Sequence, residues 1–460
     1  MMKPTTLLCT FMLSALAVIA IGCATQPDDS AAADPAETDP RPNVLFIMAD
    51  DMGYECLGAN GGTSYDTPRL DALAANGLRF TNAHAQPICT PSRVQLMTGI
   101  YNNRNYLRFG QLDPEANTFA HLFRDAGYAT VIAGKWQLGG GLGAPDHFGF
   151  DEYCLWQLTR AGPGKIAPRY PNPGLEVNGE VVDYTGGTYG PDIVSDYLCG
   201  FFERHTDQPF FAYYPMILPH FPFQPTPDSD AWDPTESREY PRREWRDAWF
   251  ADMVAYTDHV VGKLVDQLDE LGLLENTIIV FVGDNGTYFN LTSQLNGRDV
   301  VGGKGKTIDT GTHVPLVVHW PAAVEPGRVS ESLVDLSDFL PTLADAAGID
   351  VPAGWEVNGI SFAEELRGGA PSSRTYIYCW YQRNGVRETA SQHVRTAQLK
   401  LYADGRLFNT LEDPDETTPI GTATLNAEDR ATYAMLSDAL GHHTTITEAC
   451  DPIQNEKRGE

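Results

Sequence analysis

The chain has 460 residues, of which 42% are hydrophobic, and it carries a formal net charge of −29 at pH 7. This length and composition allow a large buried core, and after the N-terminal leader no apolar run is long enough to span a bilayer. The acidic balance argues against a nucleic-acid-binding protein, because phosphate backbones are bound by basic patches. It does not exclude an anionic substrate, since a few Lys and Arg side chains in one cleft can reverse the local potential.

Residues 1–23 are typical of a signal peptide. An early lysine precedes an apolar run over 7–21, and small residues follow. The ending A-I-G-C resembles a bacterial lipoprotein signal, which implies acylation of Cys23; ordinary cleavage is the alternative, because Ala20 stands where leucine is usual. The sequence therefore predicts an exported protein, either a periplasmic or outer-membrane-anchored lipoprotein or a secreted one. Any membrane contact is expected only through this lipid anchor.

The next segment, residues 24–41, is acidic and proline-rich, so we expect a flexible linker. We expect a catalytic domain over residues 42–350 and a smaller C-terminal region over 351–460. Eight cysteines are present without any C-x-x-C pair, and their spacing predicts no disulfide framework.

From residue 42 the chain alternates apolar runs with helical segments. N-V-L-F-I-M-A, residues 43–49, has the composition of a strand covered on both faces. A helix is expected next, with Thr67 as its N-cap and Gly77 as its stop. A helical segment followed by an apolar strand is also expected over 118–135, and again where a helix over 245–271 precedes T-I-I-V-F-V-G. Repeated strand-helix-strand units predict an α/β fold with a large, mainly parallel sheet sandwiched by helices.

The C-terminal region has a different pattern. T-Y-I-Y-C-W-Y, V-R-T-A-Q-L-K-L-Y-A-D-G and R-L-F-N-T-L are short strand-like segments separated by turn residues, and a helix is expected over 427–440. These segments predict a small antiparallel α+β subdomain.

Two predicted strands end in oxygen-bearing side chains. Asp50 and Asp51 follow the first strand, and Asp284 and Asn285 follow T-I-I-V-F-V-G. Ligands of open α/β sheets bind at the carboxyl ends of the strands, where these carboxylates would repel one another unless a cation lay among them. Oxygen ligands favour calcium or magnesium over zinc. Each pair alone is also an ordinary turn former; together they predict a metal site.

The stretch P-I-C-T-P-S-R-V-Q-L-M-T-G, residues 87–99, resembles the signature of the formylglycine-dependent (type I) sulfatases of the alkaline-phosphatase-like superfamily. The resemblance implies the fold of that superfamily. It also implies that a formylglycine-generating maturation enzyme oxidises Cys89 to 3-oxoalanine (formylglycine) during export. A hydrated aldehyde offers two hydroxyls on one carbon: one attacks sulfur, and the other expels sulfate by collapsing back to the aldehyde.

Further motifs match the family in order, namely G-Y-A-T-V-I-A-G-K-W, L-P-H-F-P, G-D-N-G-T and G-G-K-G-K. The resemblance implies that calcium, or magnesium, binds to Asp50, Asp51, Asp284, Asn285 and the modified Cys89.

The same motifs imply roles for four further side chains. Arg93 braces the aldehyde hydrate and the metal site, and Lys135 and Lys304 bind sulfate oxygens. His220 hydrogen-bonds the sulfate or protonates the departing alcohol. Lys306 is a competitor for the role of Lys304, but the G-K-G pattern favours Lys304.

The chain departs from the family at two places. The second signature reads G-K-W-Q-L-G, with Gln137 where the family has the histidine that deprotonates the second hydroxyl. Glutamine cannot take a proton at neutral pH. Three outcomes stay open: another base, such as Asp51 or a water, takes the proton; sulfate is released more slowly; or the site binds sulfate esters without hydrolysing them. In T-G-T-H-V-P, the second departure, His313 is expected to line the substrate end of the cleft.

The sequence thus predicts an exported sulfatase, a sulfuric ester hydrolase that acts on sulfate monoesters, with sulfated carbohydrate and polysaccharide degradation as the expected context. Two alternatives stay open. A phosphate or phosphonate ester hydrolase could use the same site, and Gln137 could mark a non-catalytic protein that binds sulfated glycans. Aromatic side chains such as Trp156 could stack on sugar rings, although packing is the simpler role.

Overall fold

A ten-stranded mixed sheet is the centre of the fold in the computed structural model. The structure describes residues 40–161, 166–235, 239 and 242–458, with side chains as far as 445. The predicted signal peptide with Cys23, and the linker up to residue 39, lie outside the described residues. The described part of the chain has no helix that combines the length and the apolar character needed to cross a bilayer.

The described strands are β1 (Asn43–Ala49), β2 (Leu78–His84), β3 (Ala129–Lys135), β4 (Glu152–Trp156), β5 (Gly174–Val177), β6 (Glu180–Asp183), β7 (Phe210–Pro215), β8 (Thr277–Gly283), β9 (Thr292–Leu295), β10 (Arg298–Val301), β11 (His313–His319), β12 (Arg328–Asp335), β13 (Ile377–Tyr381), β14 (Ser391–Arg395), β15 (Leu399–Tyr402) and β16 (Leu407–Asn409).

The described α-helices are α1 (Pro68–Ala75), α2 (Cys89–Thr98), α3 (Asn102–Asn105), α4 (Phe119–Asp125), α5 (Ala144–His147), α6 (Gly190–Arg204), α7 (Asp247–Glu270), α8 (Asp309–Thr312), α9 (Phe339–Ala346), α10 (Ala363–Leu366) and α11 (Ala427–Arg458). Short 3-10 helices occupy Tyr54–Cys56, Gly58–Asn60, Arg242–Glu244, Leu274–Asn276, Leu336–Asp338, Arg387–Thr389 and Thr422–Thr424.

The large sheet has the strand order β12-β2-β11-β8-β1-β7-β3-β4-β5-β6. Its central strands β8, β1, β7, β3 and β4 are parallel neighbours, whereas β11, β5 and β6 pair antiparallel to their neighbours. The predicted α/β class is therefore confirmed, with the parallel pairing concentrated in the middle of the sheet. This middle region carries the strand ends that the sequence singles out.

The two faces of β1 explain its continuous apolar sequence. Val44, Phe46 and Met48 belong to a core cluster that also contains residues of α2, α4 and α9. Leu45 and Ile47 belong to a second cluster, with residues of α1, α6 and α7. Successive strand residues point to opposite faces, so a strand covered by helices on both sides needs apolar residues at every position.

The first predicted helix is confirmed with Thr67 at its N-cap position, but the side-chain capping bond and the C-terminal end differ from the prediction. Thr67 precedes α1, yet its hydroxyl accepts a hydrogen bond from the Gly58 N–H (2.9 Å) and does not cap the helix. The helix ends at Ala75, before Gly77. A Cβ on Gly77 would lie 2.4 Å from the Val318 carbonyl oxygen, so the glycine is required by this close approach of two backbones.

The predicted C-terminal subdomain contains a four-stranded antiparallel sheet, β13-β14-β15-β16, against which α11 packs. Tyr378 and Trp380 of β13 lie in the same core cluster as α2. The position of the domain boundary at residue 350 stays a prediction. The cysteines with described side chains, Cys56, Cys89, Cys154, Cys199 and Cys379, are buried free thiols.

A buried ion pair joins the segment before β13 to the 3-10 helix before α9. Arg374 Nε donates to Asp338 Oδ2 (2.7 Å), and both side chains are at most 2% exposed. Asp338 also accepts from the backbone N–H groups of Asp335 (2.8 Å) and Ile360 (2.7 Å).

We expect Arg374→Leu to lower the free energy of unfolding by about 3–5 kcal/mol, because it leaves the Asp338 carboxylate buried without its cation. Arg367→Leu is the control. Arg367 pairs with Asp345 at the surface, where both side chains are at least 42% exposed, so its loss should cost less than about 1 kcal/mol. Denaturant unfolding measures both variants, and equal losses would contradict the assignment.

Candidate active site

The predicted metal ligands meet at one edge of the sheet. Asp50 and Asp51 follow β1, and Asp284 and Asn285 follow β8; all four are fully buried. The Asp51 N–H donates to Asp284 Oδ1 (3.0 Å), which joins the two strand ends. Asp51 adopts φ 71°, in the left-handed region that aspartate tolerates better than most residues. Parallel β1 and β8 therefore bring three carboxylates and one amide together, as predicted.

Cys89 is the first residue of α2 and is 1% exposed. Its Sγ donates to Gln137 Oε1 (2.9 Å), and the Thr90 hydroxyl donates to the same oxygen (3.2 Å). Burial raises the pKa of the Cys89 thiol above its usual value. An unmodified thiol at this position would thus be a poor nucleophile near neutral pH, since the thiolate is the reactive form.

Each of the three carboxylates has a buried cation beside it. Lys135, the last residue of β3, places Nζ 2.6 Å from Asp50 Oδ2. Lys304 Nζ lies 2.5 Å from the Asp51 carboxylate, and Arg93, on α2, donates from Nη2 to Asp284 Oδ2 (3.2 Å). The structure thus places Arg93, Lys135 and Lys304 beside the carboxylates, and their roles toward a sulfate group stay predictions.

The carboxylates nevertheless titrate unequally. Burial opposes ionisation of Asp50, but Lys135 and the neighbouring cations hold the pKa of this carboxyl well below its usual range. Burial and the charge of Asp50 raise the pKa of Asp284 to about 8. Burial also raises the pKa of Asp51 despite the proximity of Lys304. A further positive charge would be needed to keep all three ionised.

The donor atoms fit a hard divalent cation. Asp50 Oδ1 and Asn285 Oδ1 are buried without any hydrogen-bond partner among the described residues. Ligand atoms of Asp50, Cys89 and Asp284 lie within 4.8 Å of one another, and so do those of Asp50, Asp51 and His220. Unpaired buried oxygens are costly unless they bind something, and oxygen-rich sites suit calcium or magnesium.

His220 lies close to Asp50 and Asp51. Its Nε2 is 3.8 Å from Asp51 Oδ2, and its Nδ1 is 2.6 Å from the Phe221 carbonyl oxygen and 3.0 Å from Arg169 Nη1. Burial, together with the charge of Lys304, lowers the pKa of His220 well below its usual value. The imidazole is therefore neutral at pH 7 before any anion binds.

A cleft of about 590 Å³ opens over Cys89. Five cationic residues line it, and none of the described residues that line it is acidic. The cationic residues are Lys135, Arg169, Arg242, Lys304 and Arg383. The cleft is thus positively charged in a protein whose net charge is −29.

Three of the cleft arginines have no sequence signal. Arg169 lies 4.1 Å above the Trp156 ring and pairs with Glu239 (3.0 Å), while Arg242 and Arg383 are exposed loop or 3-10 residues. A single arginine in a loop resembles any solvated arginine, so motif analysis does not find these residues. Trp156 itself is 1% exposed and donates to the Ala167 carbonyl (2.9 Å), which makes it a packing residue.

The prediction for His313 is wrong. Its Nε2 lies 2.9 Å from the Thr81 carbonyl oxygen, its Nδ1 lies 3.3 Å from Asp309 Oδ2, and its ring stacks on Tyr54 at 4.1 Å. It is absent from the cleft lining. These contacts hold the imidazole at the start of β11, outside the cleft.

Comparison with known proteins identifies the family. The sulfatase family model matches residues 42–349, and the model for the C-terminal part of N-sulphoglucosamine sulphohydrolase matches 304–435. Arylsulfatase A from Bos taurus is 32% identical over 371 residues, which cover 73% of this chain and 70% of that protein. N-acetylgalactosamine-6-O-sulfatase from Bacteroides thetaiotaomicron is 28% identical over 421 residues, 75% of this chain and 80% of that one. The crystal structure of Ps i-CgsB superimposes with a TM-score of 0.73 at 26% identity, covering 88% of this chain and 93% of that chain. The chain therefore belongs to the sulfatase family of sulfuric ester hydrolases.

Proposed function

We propose that this sulfatase is exported and removes sulfate from a sulfated carbohydrate, using a formylglycine formed from Cys89 and a bound divalent metal ion. The observation that carries the proposal is the position of Cys89, at the floor of a cationic cleft and beside the carboxylates of Asp50 and Asp284. The carbohydrate substrate is supported by the relative that acts on N-acetylgalactosamine 6-O-sulfate. It is also supported by Ps i-CgsB, at 26% identity, whose structure is known with a neocarrahexaose.

The metal would be held by Asp50, Asp51, Asp284 and Asn285, together with the modified residue 89. When bound, a divalent ion polarises oxygen ligands as a Lewis acid and stabilises negative charge. Calcium is the proposed ion, and magnesium has the same ligand preference. Its positive charge would also keep the carboxylate of Asp284 ionised, because it offsets the repulsion from Asp50.

Lys135 and Lys304 would bind the sulfate group. Both lysines are among the residues that line the cleft, and each has three N–H donors, of which the contact with Asp50 or Asp51 uses only part. Donors fixed in a buried site stabilise charge that develops as the ester bond breaks, without having to reorganise. Arg93 braces the site from below, because its guanidinium contacts both Asp284 and the Lys135 carbonyl oxygen (3.1 Å).

His220 would hydrogen-bond the sulfate and supply a proton to the departing alcohol. It lines the same cleft and contacts Asp51. Bound sulfate would raise its pKa from the lowered value, because a nearby anion favours the imidazolium. Proton donation would thus be coupled to substrate binding.

Gln137 occupies the position from which a base would act on residue 89. Its Oε1 accepts the hydrogen bond of Cys89 Sγ, so it can orient a hydroxyl formed there. A carboxamide cannot remove that proton at neutral pH. We therefore propose that water takes the proton and that sulfate release is the slow step.

We expect Cys89→Ala to abolish sulfate release from 4-nitrophenyl sulfate, because the variant cannot form the aldehyde. Cys199→Ala is the matched control: Cys199 is a buried thiol of α6, outside the cleft, and its replacement should leave the rate within about twofold. Retained activity in Cys89→Ala would contradict the proposal.

Faster hydrolysis of 4-nitrophenyl phosphate than of the sulfate by the unsubstituted protein would favour a phosphate ester hydrolase.

We expect Asn285→Ala to lower the bound metal content severalfold, because it removes one oxygen ligand. Elemental analysis after dialysis against calcium measures this directly. The unsubstituted protein should gain about 2.7 kcal/mol of stability at a calcium concentration 100 times its Kd, and chelation should remove that gain. Asp299→Asn, at an exposed position of β10, is the control. Equal metal content in both variants would contradict the assigned site.

We expect Gln137→His to raise kcat at neutral pH by about 10-fold or more, because a positioned base contributes about 10²–10⁴-fold. Because sulfate release is the proposed slow step, rapid mixing of the unsubstituted protein with substrate should show an initial burst of 4-nitrophenol. The burst should be smaller in Gln137→His, where sulfate release is faster. A slower variant with an unchanged burst would show that sulfate release is not limited by the missing base.

A further inference from the structure

Two arginines of the cleft are not used by the proposed chemistry. Arg242 begins the 3-10 helix that precedes α7, and Arg383 lies in the turn between β13 and β14. Both side chains line the cleft and both are exposed. Segments far apart in sequence thus place a guanidinium group at the same opening.

Aromatic rings support both guanidinium groups. Arg242 Cζ lies 5.6 Å from the Phe289 ring centre and 5.8 Å from that of Tyr288, and Arg383 Cζ lies 4.6 Å from that of Phe109. All three rings also line the cleft. Stacking on a ring fixes the guanidinium plane and leaves its N–H donors available for an anion.

The charges of these two groups are not neutralised by nearby acids. The other cleft cations have carboxylate partners: Lys135 pairs with Asp50, Lys304 with Asp51, and Arg169 with Glu239. Among the described residues, no carboxylate pairs with Arg242 or Arg383, whereas the neighbouring Arg243 pairs with Glu244. At the opening of the cleft, therefore, two positive charges have no carboxylate partner among the described residues of a strongly acidic protein.

We propose that Arg242 and Arg383 bind a second anionic group of the substrate, a sulfate or carboxylate on the sugar that carries the scissile ester or on its neighbour. This inference rests on the proposed sulfatase function. The scissile sulfate is served by Lys135 and Lys304 on the cleft floor, so a neutral sugar would leave both arginines without a partner. The substrate class is thus a carbohydrate with at least two anionic groups.

Inhibition of 4-nitrophenyl sulfate hydrolysis tests this directly, because it reports cleft occupancy whether or not the sugar is cleaved. Three probes separate the sources of charge: N-acetylgalactosamine 6-sulfate, its 4,6-disulfate, and a disaccharide of the 6-sulfate with a uronic acid. We expect at least one doubly anionic probe to have an inhibition constant about tenfold lower than the 6-sulfate, since a charge-assisted hydrogen bond contributes roughly this much. The probe that gains affinity identifies sulfate or carboxylate as the second group.

Arg242→Gln and Arg383→Gln should each remove most of this preference while leaving binding of the 6-sulfate within about twofold. Arg243→Gln is the control, because Arg243 is an adjacent arginine that is 81% exposed and does not line the cleft. Equal affinity for all three probes, or an equal loss of preference in Arg243→Gln, would overturn the proposal. Failure of the unsubstituted protein to hydrolyse 4-nitrophenyl sulfate would instead overturn the sulfatase function on which it rests.

Discussion

The pairing of three buried carboxylates with three buried cations is the constraint on which the site depends. Asp50, Asp51 and Asp284 could not be buried together without Arg93, Lys135 and Lys304, because an isolated buried charge costs several kcal/mol. The cations come from α2, the end of β3 and the loop before α8, so the pairing joins distant parts of the chain. Parallel strands β1, β7 and β3 direct these groups to a single edge of the sheet. Because the three carboxylates and the three cations nearly cancel in charge, the site can bind a divalent cation together with an anionic substrate.

Local charge and overall charge have different roles in this protein. The net charge of −29 keeps the surface acidic, whereas the described residues that line the cleft over Cys89 include five cations and no carboxylate. Field focusing in a cleft of this kind favours an anionic substrate even when the whole molecule is negatively charged. The cations of the cleft floor and of its opening have different partners. Lys135 and Lys304 on the floor pair with carboxylates, whereas Arg242 and Arg383 at the opening stack on aromatic rings. The floor would bind the reacting group, and the opening would select the sugar.

Much of this arrangement could be predicted from the sequence. The central strands are continuous apolar runs because helices cover both faces, and the ligand residues directly follow two of those strands. The motif around Cys89 is long enough to distinguish it from the other cysteines. The antiparallel edge formed by β5 and β6 was not predicted, since such short strands lack a strong periodic signal.

The residues that sequence reasoning missed or misplaced depend on tertiary contacts. Arg169, Arg242 and Arg383 are single arginines whose significance comes only from their position around the cleft. His313 follows the lysine motif closely in sequence, but its contacts with Thr81, Asp309 and Tyr54 direct it away. The sequence shows that Gln137 replaces a histidine, and the structure adds that its carbonyl oxygen still faces residue 89.

The proposed catalytic activity depends on the chemical state of residue 89. Mass spectrometry of the tryptic peptide that ends at Arg93, from protein purified from the exported fraction of its own cells, measures that state directly. We expect that sulfur is lost and that an aldehyde, or its hydrate, replaces the thiol of Cys89. An intact thiol, in cells that convert a control sulfatase, would contradict it.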